Sequence, residues 1–173
     1  EYKRKYPEGE SSAHVVGFTN AEERGQEGVE LSFEHELAGR DGMRRVIKDR
    51  VGHIIEDVES VKTPQEGRNL TLSIDRRIQY LAYRELKAAV EANKAKAGAI
   101  VVLDARSGEI LALANLPTYN PNNRVKLDRN STRNRSITDI FEPGSTMKPV
   151  TVAAALETGK LKLLLDLGPG TIR

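Results

Sequence analysis

Two apolar runs, residues 98–103 (GAIVVL) and 110–114 (ILALA), stand only six residues apart, and the six between them (DARSGE) are turn formers. Runs this close pair only as an antiparallel hairpin, because a parallel crossover needs a dozen or more residues. Their unbroken apolarity predicts a central hairpin covered on both faces. Upstream, residues 76–94 carry Ile78, Leu81, Ala82, Leu86, Ala89 and Val90 at the spacing of one helical face. Ala, Leu, Glu, Lys and Arg dominate this stretch, and all favour helix. Asp75 stands before it as a cap. Residues 70–74 (LTLSI) alternate apolar and polar and predict a strand. Residues 116–134 are irregular, with Pro117 and Pro121. A final apolar helix over 148–158, ended by Gly159, is predicted to be buried. Strand, amphipathic helix, hairpin, loop and apolar helix make an α+β layer arrangement and exclude a doubly wound parallel sheet.

The first 66 residues read differently. Glycines at 9, 17, 25, 28, 39, 42 and 52 separate short stretches, of which 14–18, 45–48 and 53–58 are strand-like and 30–37 helix-like. Residues 1–66 hold ten Lys and Arg against fifteen Asp and Glu, a net of −5; residues 67–173 hold seventeen against ten, a net of +7. Such a reversal predicts two units with different neighbours, 1–66 and 67–173, joined at the polar stretch 63–69 (TPQEGRN). A first unit this polar buries little core and must lean on another.

The near balance of charge, +2 in all, argues against a nucleic-acid-binding module. Zero cysteines exclude a disulfide scaffold and a thiolate nucleophile. No apolar run approaches the roughly 18 residues of a membrane span. The chain opens on Glu1 with no leader pattern, which suggests a fragment or a mature segment. His14, His35 and His53 share no metal spacing and are expected to be structural or exposed.

Chemistry concentrates at residues 141–149 (FEPGSTMKP). Pro143 and Gly144 form a turn that delivers Ser145 to a helix start, where free N–H groups and the dipole stabilise negative charge. Three residues on, Lys148 returns to nearly the same face, within reach of Ser145. A neutral Lys148 amine there can accept the Ser145 proton, which requires burial or a nearby positive charge to lower its basicity. Pro149 lacks the N–H of a regular first turn, so either Ser145 lies at the helix mouth or the turn is distorted. A capping Ser145 beside a solvated Lys148 fits the same residues. Glu142 reads as an orienting group or as a surface charge. The basic residues Arg124, Lys126, Arg129, Arg133 and Arg135 read as a solvated loop or as a face for an anionic precursor.

The motif EPGSTMKP resembles the active-site motif of class B penicillin-binding proteins, the D,D-transpeptidases of peptidoglycan synthesis. Residues 1–20, 25–30 (GQEGVE) and 48–57 (KDRVGHIIED) resemble the non-catalytic, dimerisation-like pedestal of the cell-division member. Residues 72–75 (LSID), 108–112 (GEILA), 118–123 (TYNPNN) and Asn134-Arg135 resemble the front of its transpeptidase domain, whose fold is serine β-lactamase-like. The resemblance implies that Ser145 is the nucleophile and supplies a backbone oxyanion donor. It implies that Lys148 is the general base, with Glu142, Gly144, Asn134 and Arg135 in support. It implies peptidoglycan stem peptides ending in D-Ala-D-Ala and β-lactams as ligands, and no metal or cofactor. The divisome membrane proteins, including the SEDS glycosyltransferase FtsW, are the implied partners, at the bacterial inner membrane with this segment in the periplasm. Residues 149–173 contain neither the Ser-x-Asn nor the Lys-Thr-Gly motif of the family. The expectation is a pedestal piece plus the N-terminal part of a transpeptidase domain, inactive alone. An interaction module docking divisome partners and a β-lactam sensor are the alternative readings.

Overall fold

The computed structural model describes residues 4–125 and 127–159. Its central element is the long helix α4 (Arg76–Ala92), laid on an antiparallel hairpin of β3 (Gly98–Leu103) and β4 (Ile110–Leu116). Asp75 caps α4: its Oδ1 accepts from the backbone N–H of Arg77 at 2.8 Å and of Ile78 at 3.2 Å. The buried core is Ala82 and Leu86 of α4 against Ala112, Ala114 and Leu116 of β4, with Ile78, Tyr83, Val90, Ile100 and Val102 around it. Small residues on β4 let the helix approach closely. A Cβ on Gly98 would lie 2.9 Å from both Leu86 and Val90. The register runs from Gly98 opposite Leu116 to Leu103 opposite Ile110. Asp104 closes the turn, its side chain accepting from the N–H of Arg106 and Ser107.

Three expectations for this region are corrected. β3 is covered on one face only: Val101 and Leu103 are exposed while Ile100 and Val102 are partly buried, the alternation of a half-buried strand. Leu81 and Ala89 leave the core face of α4, and Gln79 takes a buried place instead. Residues 70–74 form no ladder. Ser73 donates to the Ile110 carbonyl and Asp75 N–H to that of Leu111, which fastens this stretch to the start of β4 without strand pairing.

The first segment contains α1 (Ala13–Val16), α2 (Gly28–Ser32) and α3 (Glu34–Leu37), then β1 (Met43–Lys48) paired antiparallel with β2 (Ile54–Lys62). The second hairpin falls where the strand-like stretches 45–48 and 53–58 place it. Residues 14–18 do not form the expected strand; they turn helical and end at Gly17, where φ is +80°. A Cβ there would lie 1.8 Å from the Glu27 carbonyl oxygen, so this crossing of two backbones admits only glycine. The helix over 30–37 is broken at Phe33 into α2 and α3.

Polar side chains fasten the first segment to the second. Asn122 imitates a peptide group, accepting from Tyr6 N–H at 2.9 Å and donating to Tyr6 carbonyl at 2.8 Å. Tyr119 donates to the Ala13 carbonyl, and Arg124 donates to that of Thr19 while lying 5.4 Å from the Phe18 ring. Buried Gln79 donates to the Ser11 carbonyl at 2.6 Å and to the Leu113 carbonyl at 2.9 Å, and accepts from Leu113 N–H at 2.8 Å. Residues 4–37 thus lean on the helix–hairpin layer through directed bonds as well as apolar area. By packing, the chain divides into two compact units, residues 1–139 and 140–173. Among the described residues no helix is long and apolar enough to cross a membrane.

Candidate active site

In the second unit, a 3-10 turn over Gly144–Met147 runs directly into helix α7 (Lys148–Glu157). Gly144 has φ +53°, a left-handed geometry that glycine adopts without cost, and it turns the chain from Pro143 into Ser145. The Pro143 carbonyl accepts from both the Thr146 N–H and the Thr146 hydroxyl. Pro149 falls in the first turn of α7, where its missing N–H has no partner to lose. Of the two geometries the proline permits, the distorted first turn is the one adopted.

The distortion changes the relation between Ser145 and Lys148. The backbone N–H of Lys148 donates to the carbonyl of Ser145, closing an i to i+3 ring between these two residues. At three residues per turn, side chains at i and i+3 eclipse, so both leave the backbone on one side. Ser145 is the second residue of the turn, within the group whose N–H groups lack helical partners. The pair is open: Glu142, Gly144, Ser145 and Lys148 are all exposed. The expected burial of the helix is corrected too. α7 has no buried residue, and Val150 and Val152 are 59 % and 47 % exposed. A helix apolar all round belongs in a covered position, and the described residues supply no such cover within its own unit. Residues 160–173 lie outside the described part.

Asn134 and Arg135 belong to the first unit. They open α6 (Arg135–Thr138), which follows α5 (Arg129–Thr132). Asn115 of β4, 2 % exposed, donates to Asn134 Oδ1 at 2.9 Å and accepts from the N–H and hydroxyl of Ser136 at 2.8 and 2.7 Å. Arg135 and Arg133 each place a nitrogen 2.8 Å from an oxygen of Asp139. The Arg135 bond is the main force holding this carboxyl below the usual range, with the charge of Arg133 assisting. His14 contacts the Ser131 carbonyl through Nε2 at 2.8 Å and packs edge-on against Tyr119. Burial lowers its basicity; the Ser131 carbonyl opposes this and the Arg135 charge adds to it. Asn115, Ser136 and Asp139 were not singled out from the sequence. The signal available for Asn115 was an amide inside an otherwise apolar strand run, which is expensive to bury unless bonded.

Two family models match the chain: the penicillin-binding protein dimerisation domain over residues 1–72 and the penicillin-binding protein transpeptidase domain over residues 98–166. The chain belongs to the class B penicillin-binding proteins. It is 53 % identical over 165 residues to the probable peptidoglycan D,D-transpeptidase PenA of Neisseria gonorrhoeae, and 52 % identical over 162 residues to the peptidoglycan D,D-transpeptidase FtsI of Escherichia coli strain K12. Each match covers 94 % of this chain but only 28 % and 27 % of the relative. Among solved structures, it is similar to penicillin binding protein 3 from Mycobacterium tuberculosis in its apo form, with a TM-score of 0.74 and 31 % identity, over 91 % of this chain and 32 % of that one. The same protein has been solved in complex with aztreonam and with ampicillin. The α+β architecture expected of the chain is therefore that of a class B penicillin-binding protein.

Proposed function

We propose that the chain carries the nucleophile of a peptidoglycan D,D-transpeptidase, with residues 1–66 in the non-catalytic pedestal and 67–173 forming the N-terminal part of the catalytic domain. The observation that carries the reading is the Lys148 N–H to Ser145 carbonyl bond at the junction of the 3-10 turn and α7. An i to i+3 ring of this kind puts both residues on one side of an exposed turn, which supports reading them as a working pair. Lys148 takes the proton of Ser145 Oγ. The oxygen attacks the penultimate D-alanine carbonyl of a stem peptide, and the resulting oxyanion is met by the Ser145 N–H. In the collapse of the tetrahedral intermediate Lys148 hands that proton to the leaving nitrogen, so the terminal D-alanine departs as a free amine and an ester is left on Ser145. The amine of a second stem peptide displaces the ester and completes the cross-link. A β-lactam follows the same first step, with its ring nitrogen as the leaving group retained in the adduct.

The second oxyanion donor and the partners of Ser145 and Lys148 in the family come from Ser-x-Asn and Lys-Thr-Gly motifs that the 173 residues lack. On this reading the isolated chain is not a competent transpeptidase. Septal cell-wall synthesis, a place in the bacterial inner membrane with this segment in the periplasm, and docking to divisome proteins such as FtsW are the wider role proposed with it. The test is cross-linking by the full-length protein. Ser145→Ala abolishes dimeric cross-linked product from stem-peptide substrate while divisome-partner binding stays unchanged. Cross-linking that persists in Ser145→Ala overturns the assignment.

A further inference from the structure

The turn that carries Ser145 is held by its own bonds. Gly144, Ser145, Thr146 and Lys148 are all exposed, and a Cβ at Gly144 would meet no atom within 4 Å. Among the described residues, then, no packing confines Gly144, the residue of the stretch with the most backbone freedom. Its left-handed geometry is fixed by what bridges it. Thr146 bridges it twice: its N–H donates to the Pro143 carbonyl at 3.1 Å, and its hydroxyl donates to the same oxygen. Two groups of one residue hold one carbonyl, and Gly144 and Ser145 are enclosed between them.

This ring interlocks with the next. Ser145 lies inside the ring from Pro143 to Thr146, and its own carbonyl accepts the Lys148 N–H, so its backbone angles belong to both. A threonine that caps a helix accepts from a backbone N–H. The Thr146 hydroxyl does the reverse, sending its proton back to a carbonyl three residues earlier. Branching at Cβ restricts χ1, so holding the hydroxyl on that carbonyl costs little rotamer freedom. Helix α7 has a bond of the same kind further along: the Thr151 hydroxyl donates to the Met147 carbonyl at 3.4 Å, outside the ring that encloses Ser145.

We propose that Thr146 is a positioning residue for acylation: its hydroxyl locks the ring from Pro143 to Thr146 and so holds the Ser145 backbone in the orientation from which its hydroxyl attacks. The proposal deepens the reading of Ser145 as nucleophile and rests on it. A nucleophile displaced by about 1 Å loses on the order of a hundredfold in rate. Without the hydroxyl the Thr146 N–H still reaches Pro143, so the turn loosens without opening and the loss is a part of that. A residue that acts only through placement changes the acylation step and leaves noncovalent capture of the ligand nearly intact.

The experiment is stopped-flow acylation of the full-length protein by a fluorescent penicillin, separated into the half-saturating concentration and the limiting rate constant per folded molecule. Thr146→Val keeps the shape and deletes the hydroxyl; it lowers the limiting rate about tenfold, with the half-saturating concentration within about twofold. Thr146→Ser restores the hydroxyl and with it most of the rate. Thr151→Val deletes the matching bond further along α7 and acylates at the wild-type limiting rate. The proposal is overturned if Thr146→Val acylates normally, or if Thr146→Ser is as slow as Thr146→Val. It is equally overturned if Thr151→Val slows as much, which makes the effect one of general helix stability, or if the loss in Thr146→Val lies in the half-saturating concentration, which makes Thr146 a ligand contact. Wild-type protein labelled anywhere other than Ser145 removes the nucleophile reading and this proposal together; normal Ser145 labelling with an unaffected Thr146→Val removes this proposal alone.

Discussion

Replacing Gln79 by leucine removes a side-chain amide from the crowded junction of three pieces of chain. Gln79 is 1 % exposed and makes three hydrogen bonds, to the Ser11 carbonyl and to both backbone groups of Leu113. Leucine matches it roughly in volume, so the cavity component is small. What remains is the loss of three bonds and the stranding of one N–H and two carbonyls. Each bond contributes about 1 kcal/mol net, and a buried group left unpaired costs ~1–3 kcal/mol. Water that reaches part of the gap lowers the total, which gives an expected loss of about 3–5 kcal/mol. Against a domain stability on the order of 5–15 kcal/mol this is a large share. The assay is urea unfolding of the 173-residue chain followed by far-ultraviolet circular dichroism, with amide hydrogen exchange resolved at Leu113. The exposed neighbour Tyr80, changed to alanine, serves as control and shifts stability by no more than about 0.5 kcal/mol. A loss below about 1 kcal/mol for Gln79→Leu, with Leu113 still protected, refutes the claim that this amide ties the first segment to the hairpin.

Three further outcomes follow from the same geometry. His14 titrates below the ordinary imidazole value of 6.5 chiefly because it is buried, so just below that pH the folded chain holds fewer protons than the unfolded one. Stability is full above pH 6.5 and falls as the pH drops through the window beneath it, at no more than about 1.4 kcal/mol per pH unit for one proton; His14→Gln flattens that part of the urea-midpoint profile. Gly17→Ala, which brings a Cβ 1.8 Å from the Glu27 carbonyl, costs about 2–4 kcal/mol in chemical denaturation, whereas Gly9→Ala, with φ +53° and no atom within 4 Å, costs about 1–2 kcal/mol. Lys148→Arg keeps the charge but cannot give up its proton, so penicillin acylation of the full-length protein falls by at least about a hundredfold; acylation near the wild-type rate would remove Lys148 from the role of base.

The parts of the fold that were legible in the sequence are those set by local periodicity. α4, its Asp75 cap, the β3–β4 hairpin with its DARSGE turn and the β1–β2 hairpin each come from residues near one another in the chain. The parts that were not legible depend on distant partners. Residues 14–18 have a strand-like composition but wind into α1, because the backbone crossing at Gly17 and the bonds to Tyr119 and Ser131 decide their shape. Leu72 and Ile74 alternate as a strand does, yet their stretch meets β4 at isolated points only. At the candidate site the spacing of Ser145 and Lys148 was visible, and so was the conflict introduced by Pro149. Its resolution as a 3-10 turn, and the exposure of α7, depend on packing that a motif does not encode. Asn115 was hidden for a different reason: strand periodicity treats any residue in an apolar run as core, while its partners lie about twenty residues downstream.

The most direct test of the central claim, that Ser145 is the acylated nucleophile, is peptide mapping by mass spectrometry. The full-length protein is incubated with a β-lactam, digested, and the adduct is located by fragmentation. The account predicts one added β-lactam mass, on the peptide containing residues 142–149 and on Ser145 within it, and no adduct in Ser145→Ala. An adduct on another residue, or one that survives Ser145→Ala, contradicts it.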